Sequence, residues 1–187
     1  MSDLVIRPSR DGDVATVAAI YAHHVRHGIA SFEEVPPQPD EIARRRADIL
    51  ALGLPYLVAE QGDQVVGYAY ASRYRTRSAY RYAVEDSIYI EAEKVGRGIG
   101  RALLGDLIGR CTALGYRQMV AVIGGSETRP SIRLHETLGF TRAGVLRAIG
   151  FKFGSWIDCV LMQRALGSGA TTFPGENGWS NKGGQIG

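Results

Sequence analysis

Residues 87–101 read SIYIEAEKVGRGIGR, and this stretch decides the fold. A strand-like run, Ser87 to Ile90, leads through a short connection into a turn with three alternating glycines, from Gly96 to Gly100, and a helical pattern follows. Such a turn lets successive backbone N–H groups point at one place, and the helix N-terminus adds positive partial charge there. The stretch therefore predicts a site for a phosphate or pyrophosphate group.

Two common phosphate motifs do not fit this stretch. No Gly-Lys-Ser or Gly-Lys-Thr follows the glycines, which excludes a P-loop. The strand is not the first of a βαβ repeat, and no acidic residue ends a following strand at the spacing of a dinucleotide site. The pattern thus indicates a different class of phosphate-bearing ligand.

Composition bounds the remaining possibilities. The chain has 187 residues and 20.3 kDa, with 45% hydrophobic and 22% charged residues, which is typical of one soluble globular domain. We find no apolar run of about 18 residues and no basic-then-apolar leader at the N-terminus, so we expect a cytoplasmic protein without a membrane partner. A net charge of +3 is too small to argue for a nucleic-acid partner.

The two cysteines, Cys111 and Cys159, are too few and too far apart for a disulfide framework or a zinc site. Both lie within apolar patterns, which predicts core positions. Cys111 belongs to an expected core stripe with Leu103, Leu107 and Leu114. We expect no bound metal.

The hydrophobic pattern predicts the element order β-α-α-β-β-β-α-β-α-β-β, a mixed α/β (α+β) sheet carrying helices. The second helix is expected from Glu41, capped by Asp40, with the run Arg44–Arg46 on a solvated face. The last two strands are expected at 140–147 and 151–162, joined at Gly150. Residues 1–166 form the predicted domain, and the glycine-rich stretch 167–187 is predicted to be a flexible tail.

Several further motifs occur in order along the chain. They are Ser31-Phe32-Glu33 before prolines, Gly67 to Tyr70, Arg75-Thr76-Arg77-Ser78-Ala79-Tyr80, Val84 to Ile90, Ala121 to Gly124, Leu134-His135-Glu136-Thr137-Leu138-Gly139-Phe140 and Lys152-Phe153-Gly154-Ser155-Trp156-Ile157-Asp158. Together with the strand, glycine turn and helix, this series resembles the GNAT superfamily of acetyl-CoA-dependent N-acetyltransferases. Within that superfamily it is similar to the phosphinothricin and methionine sulfoximine N-acetyltransferases.

The resemblance runs from Ile6 to about Arg164 and carries several expectations. It implies the GNAT acyl-CoA N-acyltransferase fold, a single layer of mostly antiparallel sheet flanked by helices. It implies acetyl-CoA as co-substrate and a homodimer as the assembly. It also implies transfer of the acetyl group to the α-amino group of a small amino acid, by direct attack in a ternary complex.

The expected acetyl-CoA contacts follow the family pattern. They are Ile88, Tyr89, Ile90, Gly96, Arg97, Gly98, Ile99, Gly100 and Arg101. The strand would pair with the pantetheine arm and offer a backbone N–H to the thioester carbonyl. Val95 departs from the pattern, because the family usually has Gln or Arg there, so one side-chain contact is missing.

Two residues are candidates for proton transfer. Glu85 is the expected general base, because a carboxylate beside the acyl strand can take the amine proton directly or through water. A salt bridge to Arg75, Arg77 or Arg81 is the alternative interpretation. His135 occupies the position where many family members place a tyrosine, so it is either an acid for the departing thiolate or a structural histidine.

Substrate recognition is expected mainly from arginines, since guanidinium binds an amino-acid carboxylate with two hydrogen bonds. Arg73 and Arg81 could equally belong to a solvated face, and Phe32, Tyr80 and Trp156 could supply apolar walls. The full set of expected substrate residues is Phe32, Arg75, Thr76, Arg77, Tyr80, Glu85, Asp86, Ser87 and Thr128. Thr128 stands where the family usually has asparagine.

Other functions stay open at this point. The acceptor could be a polyamine, an aminoglycoside or a protein N-terminus, although the arginine cluster should repel cationic substrates. A non-catalytic acyl-CoA sensor would keep the glycine turn but could dispense with Glu85.

Overall fold

The computed structural model describes residues 4–126 and 128–174, and it confirms the predicted element order. The strands and helices are β1 (Leu4–Pro8), α1 (Val14–His27), α2 (Pro39–Ala51), β2 (Tyr56–Gln61), β3 (Gln64–Arg73), β4 (Ala83–Ile90), α3 (Ile99–Ala113), β5 (Gln118–Gly124), α4 (Arg129–Thr137), β6 (Thr141–Lys152) and β7 (Ser155–Ala165). Short 3₁₀ turns cover 11–13, 78–80 and 92–94.

The strands form one seven-stranded sheet in the order β1-β2-β3-β4-β5-β7-β6. Every neighbouring pair is antiparallel except β4 and β5, which are parallel. The β4–β5 pairing runs only from Ala83–Gln118 to Asp86–Ala121, although β4 continues to Ile90 and β5 to Gly124. The two central strands therefore part after four residue pairs and leave a split in the middle of the sheet.

Helices cover both faces of the sheet. Helices α1 and α2 pack on one face, over a layer rich in tyrosine, and α3 and α4 pack on the other face over the larger aliphatic core. The predicted stripe of α3 is confirmed for Leu103, Leu107 and Cys111, each 0% exposed. It is wrong for Leu114, which is 47% exposed because the helix ends at Ala113.

The second helix differs from its prediction in two ways. It begins at Pro39 with Gln38 at the N-cap, not at Glu41 with Asp40 as cap, because a proline ring suits the first helical position. Arg46 is buried rather than solvated. Its guanidinium donates to the Ser9 carbonyl oxygen at 2.8 Å and so ties α2 to the end of β1.

The last hairpin also differs from its prediction. Its turn lies at Phe153 and Gly154, both with positive φ, and not at Gly150. Gly150 is instead inside β6, next to a bulge that shifts the register between Leu146 and Gly150. The bulge places extra residues in β6, and for that reason the strand is longer than its alternation suggested.

The remaining general expectations concern cysteines, metal and membrane. Cys111 and Cys159 are both free and buried, as predicted. Across the described ranges, no three His, Cys, Asp or Glu side chains come together as a metal-binding group, and no helix is long and apolar enough to cross a membrane. Part of the predicted tail is described, and there Thr172 and the Phe173 carbonyl oxygen accept hydrogen bonds from the Arg117 side chain. Residues 175–187 of the predicted tail lie outside the described residues.

Candidate active site

The split between β4 and β5 sorts the β4 side chains between two environments, because successive strand residues point to opposite faces. Glu85, Ser87 and Tyr89 lie on the face covered by α1 and α2. Asp86 and Ile88 lie on the face covered by α3 and α4. Two adjacent carboxylates of one strand therefore have opposite surroundings.

Glu85 is half-buried, and its side chain makes no hydrogen bond within the described ranges. Burial raises the pKa of this carboxyl above its ordinary value, the positive charge of Arg75 lowers it in part, and the charge of Asp86 raises it. A carboxylate with a raised pKa, unengaged by other groups and close to the split, has the properties of a general base.

Tyrosines surround the strand on the Glu85 face. Tyr70 pairs with Ser87 across the β3–β4 ladder. Burial raises the pKa of the Tyr70 phenol, and a hydrogen bond with the Ser87 hydroxyl opposes that shift. Tyr89 is 8% exposed, with its ring 5.2 Å from that of Tyr68 and 5.0 Å from that of Tyr21. This layer excludes water from the strand, which explains why burial dominates the pKa of Glu85.

Asp86 is on the opposite face and is buried in the interior. Its Oδ2 lies 3.0 Å from Nε2 of His135, and Nδ1 of His135 donates to the Ser131 carbonyl oxygen at 2.7 Å. Both side chains are buried, and Asp86 Oδ1 has no hydrogen-bond partner among the residues that the structure describes. Burial lowers the pKa of His135, but the hydrogen bond and charge of Asp86 outweigh it, so the pKa is raised overall.

The glycine turn forms an open cradle at the start of α3. Gly96 and Gly98 have φ of 82° and 81°, and a Cβ on either would meet no atom within 4 Å. Gly98 is the N-cap of α3, so the first backbone N–H groups of the helix face the space beside it. Arg97 and Arg101 are exposed there and have no ion pair among the described residues. The arrangement suits a pyrophosphate group.

The predicted cofactor strand keeps its backbone edge away from β5. Ile88 and Ile90 pack their side chains on the α3 core, and Ile99 is only 2% exposed, so each could contact a cofactor chiefly through its backbone. The Ile90 carbonyl oxygen lies 2.7 Å from Nε2 of His24 on α1. Gly100 lies under α4, where a Cβ would come within 3.1 Å of the Leu134 side chain.

The parallel strands β4 and β5 part in the middle of the sheet, and the glycine turn connects β4 to α3. The family model described as an acetyltransferase (GNAT) domain matches residues 6–161. The chain belongs to the GNAT acetyltransferase family. The GNAT fold predicted from the sequence is thereby confirmed, with one mostly antiparallel sheet between two helical layers.

Individual GNAT relatives agree over most of their length. A phosphinothricin N-acetyltransferase of Alcaligenes faecalis is 54% identical over 169 residues, covering 90% of this chain and 86% of the relative. An L-methionine sulfoximine/L-methionine sulfone acetyltransferase of Salmonella typhimurium is 37% identical, covering 87% and 95%. The crystal structure of a phosphinothricin acetyltransferase from Sinorhizobium meliloti in complex with AcCoA superposes with a TM-score of 0.91, at 49% identity and 95% coverage of both chains.

The predicted substrate loop leads into β4 next to Glu85. Arg75, Thr76, Arg77 and Tyr80 are all exposed on it. The Arg75 guanidinium lies 4.2 Å above the Tyr74 ring, and the Tyr80 ring meets Tyr74 edge-on at 5.6 Å. The charge of Arg75 lowers the pKa of Glu85 against the effect of burial.

Other predicted substrate residues are placed elsewhere. Asp86 lies on the far face of β4, apart from Glu85. The Thr128 hydroxyl donates to the Gly124 carbonyl oxygen at 2.8 Å and closes the loop before α4. Trp156 is 69% exposed on the last hairpin and meets Phe151, whereas Phe32 packs against Gly150. The structure thus groups Glu85, Ser87 and the Arg75 loop. Phe32 lies on the same face of the sheet but across the split, against β5 and β6, whereas Asp86, Thr128 and Trp156 lie apart.

Sequence reasoning missed the anchors of the loop between α1 and α2. Lys152 of β6 is 3% exposed and donates to two backbone carbonyl oxygens of that loop. Glu33 of the loop forms an ion pair with Arg45 of α2, at 2.6 Å. A lysine among the apolar residues of the last hairpin was the available signal for this contact.

Proposed function

We propose that this GNAT protein transfers the acetyl group of acetyl-CoA to the α-amino group of a small amino acid of the phosphinothricin or methionine sulfoximine type. The observation that carries the proposal is Glu85, a half-buried carboxylate with a raised pKa and Arg75 as its charged neighbour. The names of the relatives from Alcaligenes faecalis and Salmonella typhimurium support the substrate class.

The proposed reaction is a direct attack in a ternary complex. The amine nitrogen bonds to the thioester carbonyl carbon, the carbon–sulfur bond breaks, and the thiol leaves. Glu85 takes the proton that the amine must lose, directly or through one water, and a raised pKa suits this task near neutral pH. The unpaired edge of β4 from Ser87 to Ile90 receives the acyl arm and offers a backbone N–H to the carbonyl oxygen.

Different arginines would bind the acceptor amino acid and acetyl-CoA in the ternary complex. We propose that Arg75 binds the carboxylate of the acceptor amino acid, with Arg77 and Tyr80 on the same loop, since guanidinium recognises carboxylate with two parallel hydrogen bonds. The glycine turn and the exposed Arg97 and Arg101 would hold the pyrophosphate of acetyl-CoA. Polyamines are disfavoured, because the acceptor loop carries only positive charge.

His135 takes a different place in this proposal from the one its sequence position suggested. Both ring nitrogens are already hydrogen-bonded, one to Ser131 and one to Asp86, and the residue is 4% exposed. We propose that His135 is a positioning residue that ties α4 to β4 where the strands part, rather than the acid for the thiolate.

The assembly we propose is a homodimer. The last hairpin exposes five large apolar side chains, Leu146, Ile149, Phe151, Phe153 and Trp156, each at least 44% exposed. Several large apolar side chains exposed on one hairpin are typical of an interface. Light scattering should give twice the 20.3 kDa chain mass. A mass equal to one chain would refute the dimer.

The function is tested by following free thiol release from acetyl-CoA with a panel of acceptors. The panel contains phosphinothricin, methionine sulfoximine, methionine sulfone, the common amino acids, a polyamine and a peptide N-terminus. We expect turnover with the first three. Turnover confined to the polyamine or the peptide would overturn the assigned substrate class, and acetyl-CoA binding without turnover on any acceptor would favour a sensor.

The cofactor cradle is tested by two matched glycine changes. Gly98→Ala places a methyl group where the pyrophosphate would bind, and Gly53→Ala has the same strain, with φ of 71° and no atom within 4 Å. We expect both to lose roughly 1 kcal/mol of stability, from the left-handed backbone. Only Gly98→Ala should weaken acetyl-CoA binding in calorimetry, by tenfold or so. Equal affinities in the two variants would place the pyrophosphate elsewhere.

A further inference from the structure

Lys152 is a buried cation that holds a loop, and the proposed chemistry does not use it. Its ammonium donates to the carbonyl oxygens of Gly28 at 2.9 Å and Ser31 at 2.7 Å, and the residue is 3% exposed. It forms no ion pair within the described ranges. Burial lowers the pKa of this lysine, while the charges of Glu34 and Glu33 oppose the shift. Burying a cation costs free energy, and the two hydrogen bonds to backbone carbonyl oxygens offset part of that cost.

The loop that Lys152 holds fits closely against glycines of the sheet. A Cβ on Gly124 would come within 2.1 Å of the Ile29 carbonyl oxygen, and a Cβ on Gly150 would come within 2.3 Å of the Phe32 ring. A side chain could stand at Gly124 only if the loop backbone moved, and at Gly150 only if the Phe32 ring moved. The loop therefore packs closely against β5 and β6, and Lys152 supplies the hydrogen bonds that hold it there.

The opposite side of the loop is fastened to α1 and α2. The Ser31 hydroxyl lies 2.8 Å from the Tyr21 hydroxyl, which donates to Glu33 at 2.9 Å, and Glu33 is paired with Arg45. Ser31 thus binds through its side chain to α1 and through its carbonyl oxygen to Lys152. The next residue, Phe32, follows directly from this doubly held position and is 41% exposed.

The seat of Phe32 lies on the same face of the sheet as Glu85. Gly124, which the ring approaches, pairs with Cys159 of β7. Glu85 pairs with Val120 of β5, and Gly124, four residues further along that strand, lies on the same face as Val120. An exposed ring fixed on this face, at the end of β5 that borders the split, would form an apolar wall for an acceptor.

We propose that Lys152 is a positioning residue for acceptor binding, which fixes residues 28–32 so that Phe32 stands as one wall of the acceptor site. The inference rests on the proposed function and adds to it a residue that need not touch either substrate. A wall held in place before binding saves the ordering cost that a mobile loop would impose on the acceptor. The effect should therefore appear in the acceptor KM and not in acetyl-CoA affinity.

The experiment compares Lys152→Met, Phe32→Ala and the double variant by steady-state kinetics with phosphinothricin. We expect Lys152→Met to raise the acceptor KM about tenfold, the order expected from losing hydrogen bonds to a charged group, with kcat changed far less. The double variant should show no further rise beyond Phe32→Ala, since both changes remove the same wall. Additive effects, or an unchanged KM, would overturn the inference.

Two variants control for simple destabilisation. Arg46→Met removes another buried cation that donates to a backbone carbonyl oxygen, and should lower Tm without changing the acceptor KM. Gly150→Ala leaves Lys152 intact but displaces the Phe32 ring, and should reproduce the rise in KM even if Lys152→Met does not fold. A rise with Arg46→Met, or none with Gly150→Ala, would contradict the proposal.

Hydrogen exchange separates this inference from the proposed function. We expect faster exchange of residues 28–33 in Lys152→Met than in the parent, whatever the acceptor. If the parent acetylates no amino acid but the loop loosens, the proposed function fails and the lysine still holds the loop. If the parent acetylates phosphinothricin and the loop exchanges as before, the role of Lys152 fails alone.

Discussion

The two faces of β4 treat neighbouring carboxylates in opposite ways. Glu85, on the α1 and α2 face, is half-buried, has a side chain without a hydrogen bond in the described part of the chain, and has a raised pKa. Asp86, on the α3 and α4 face, is 7% exposed and joined to His135 at 3.0 Å. The difference shows that strand alternation, and not residue type, decides which carboxylate is available for proton transfer.

The contrast also explains why the split lies where it does. Asp86 belongs to the last pair of the β4–β5 ladder, and His135 binds it at that point from α4. A buried pair at the fork anchors the closed side, while the strand beyond it is free to bind a ligand through its backbone. One face thus carries the structural contact and the other carries the proposed chemistry.

The largest expected effect comes from removing the available carboxylate. Glu85→Gln keeps the shape of the side chain but cannot take a proton, so we expect kcat to fall by roughly 10²-fold or more, as for loss of a general base. Acetyl-CoA affinity, measured by calorimetry, should stay unchanged because Glu85 faces the acceptor side. The matched change Glu136→Gln, on the exposed surface of α4, should leave kcat unaltered.

Two results with Glu85→Gln would contradict the assignment of Glu85 as the base on the acceptor face. Full activity in Glu85→Gln would exclude it as the base. Loss of acetyl-CoA binding in the same variant would show that Glu85 supports the cofactor side instead.

The next effect should appear in stability. His135→Ala leaves Asp86 buried and unpaired, so we expect a loss of about 3 kcal/mol in urea unfolding at neutral pH, as for breaking a buried ion pair. The folded-state pKa of His135 is raised, so the pair's contribution is fully present below the unfolded value and is lost as pH rises through the folded pKa. The parent should therefore exceed His135→Ala by more at roughly pH 6 than at roughly pH 9.

Asp86→Asn sharpens this test, because the amide can still hydrogen-bond to His135 without the negative charge. We expect its stability relative to the parent to improve as pH rises, since the charged pair no longer favours the protonated imidazole. A parent-minus-variant difference that does not vary with pH would mean that His135 is neutral in the folded protein.

Much of the fold could be predicted from the sequence because the relevant signals are local. The alternation of β4 and the glycines at 96, 98 and 100 placed the strand, turn and helix correctly. Local signals failed where an irregular feature intervened. The bulge between Leu146 and Gly150 lengthened β6 and moved its turn to Phe153–Gly154.

The site was predictable only in part, because its contacts join distant parts of the chain. The resemblance to the GNAT family led to the prediction of Glu85 and the Arg75 loop, which are close in sequence. It could not show that Asp86 binds His135, 49 residues away, or that Lys152 binds Ser31, 121 residues away. Such contacts follow from the sheet order, in which β6 is an edge strand beside β7, and not from any local pattern.

The smallest expected effect concerns the charge that tunes Glu85. Arg75 lowers the pKa of Glu85 against the larger upward effect of burial, so Arg75→Ala should raise that pKa further. The acidic limb of the kcat/KM profile should then move to higher pH, and the acceptor KM should rise by about tenfold from loss of the carboxylate contact. Arg77→Ala should raise the acceptor KM and move the limb less, because Arg75 is the arginine that contributes to the pKa shift of Glu85. Arg142→Ala, a change of an exposed arginine on β6, should do neither.

Two results would contradict this prediction. An acidic limb that stays fixed in Arg75→Ala would show that the titrating group is not Glu85. A limb that moves equally in Arg77→Ala would show that the charge of the whole loop, rather than that of Arg75, lowers the pKa of Glu85.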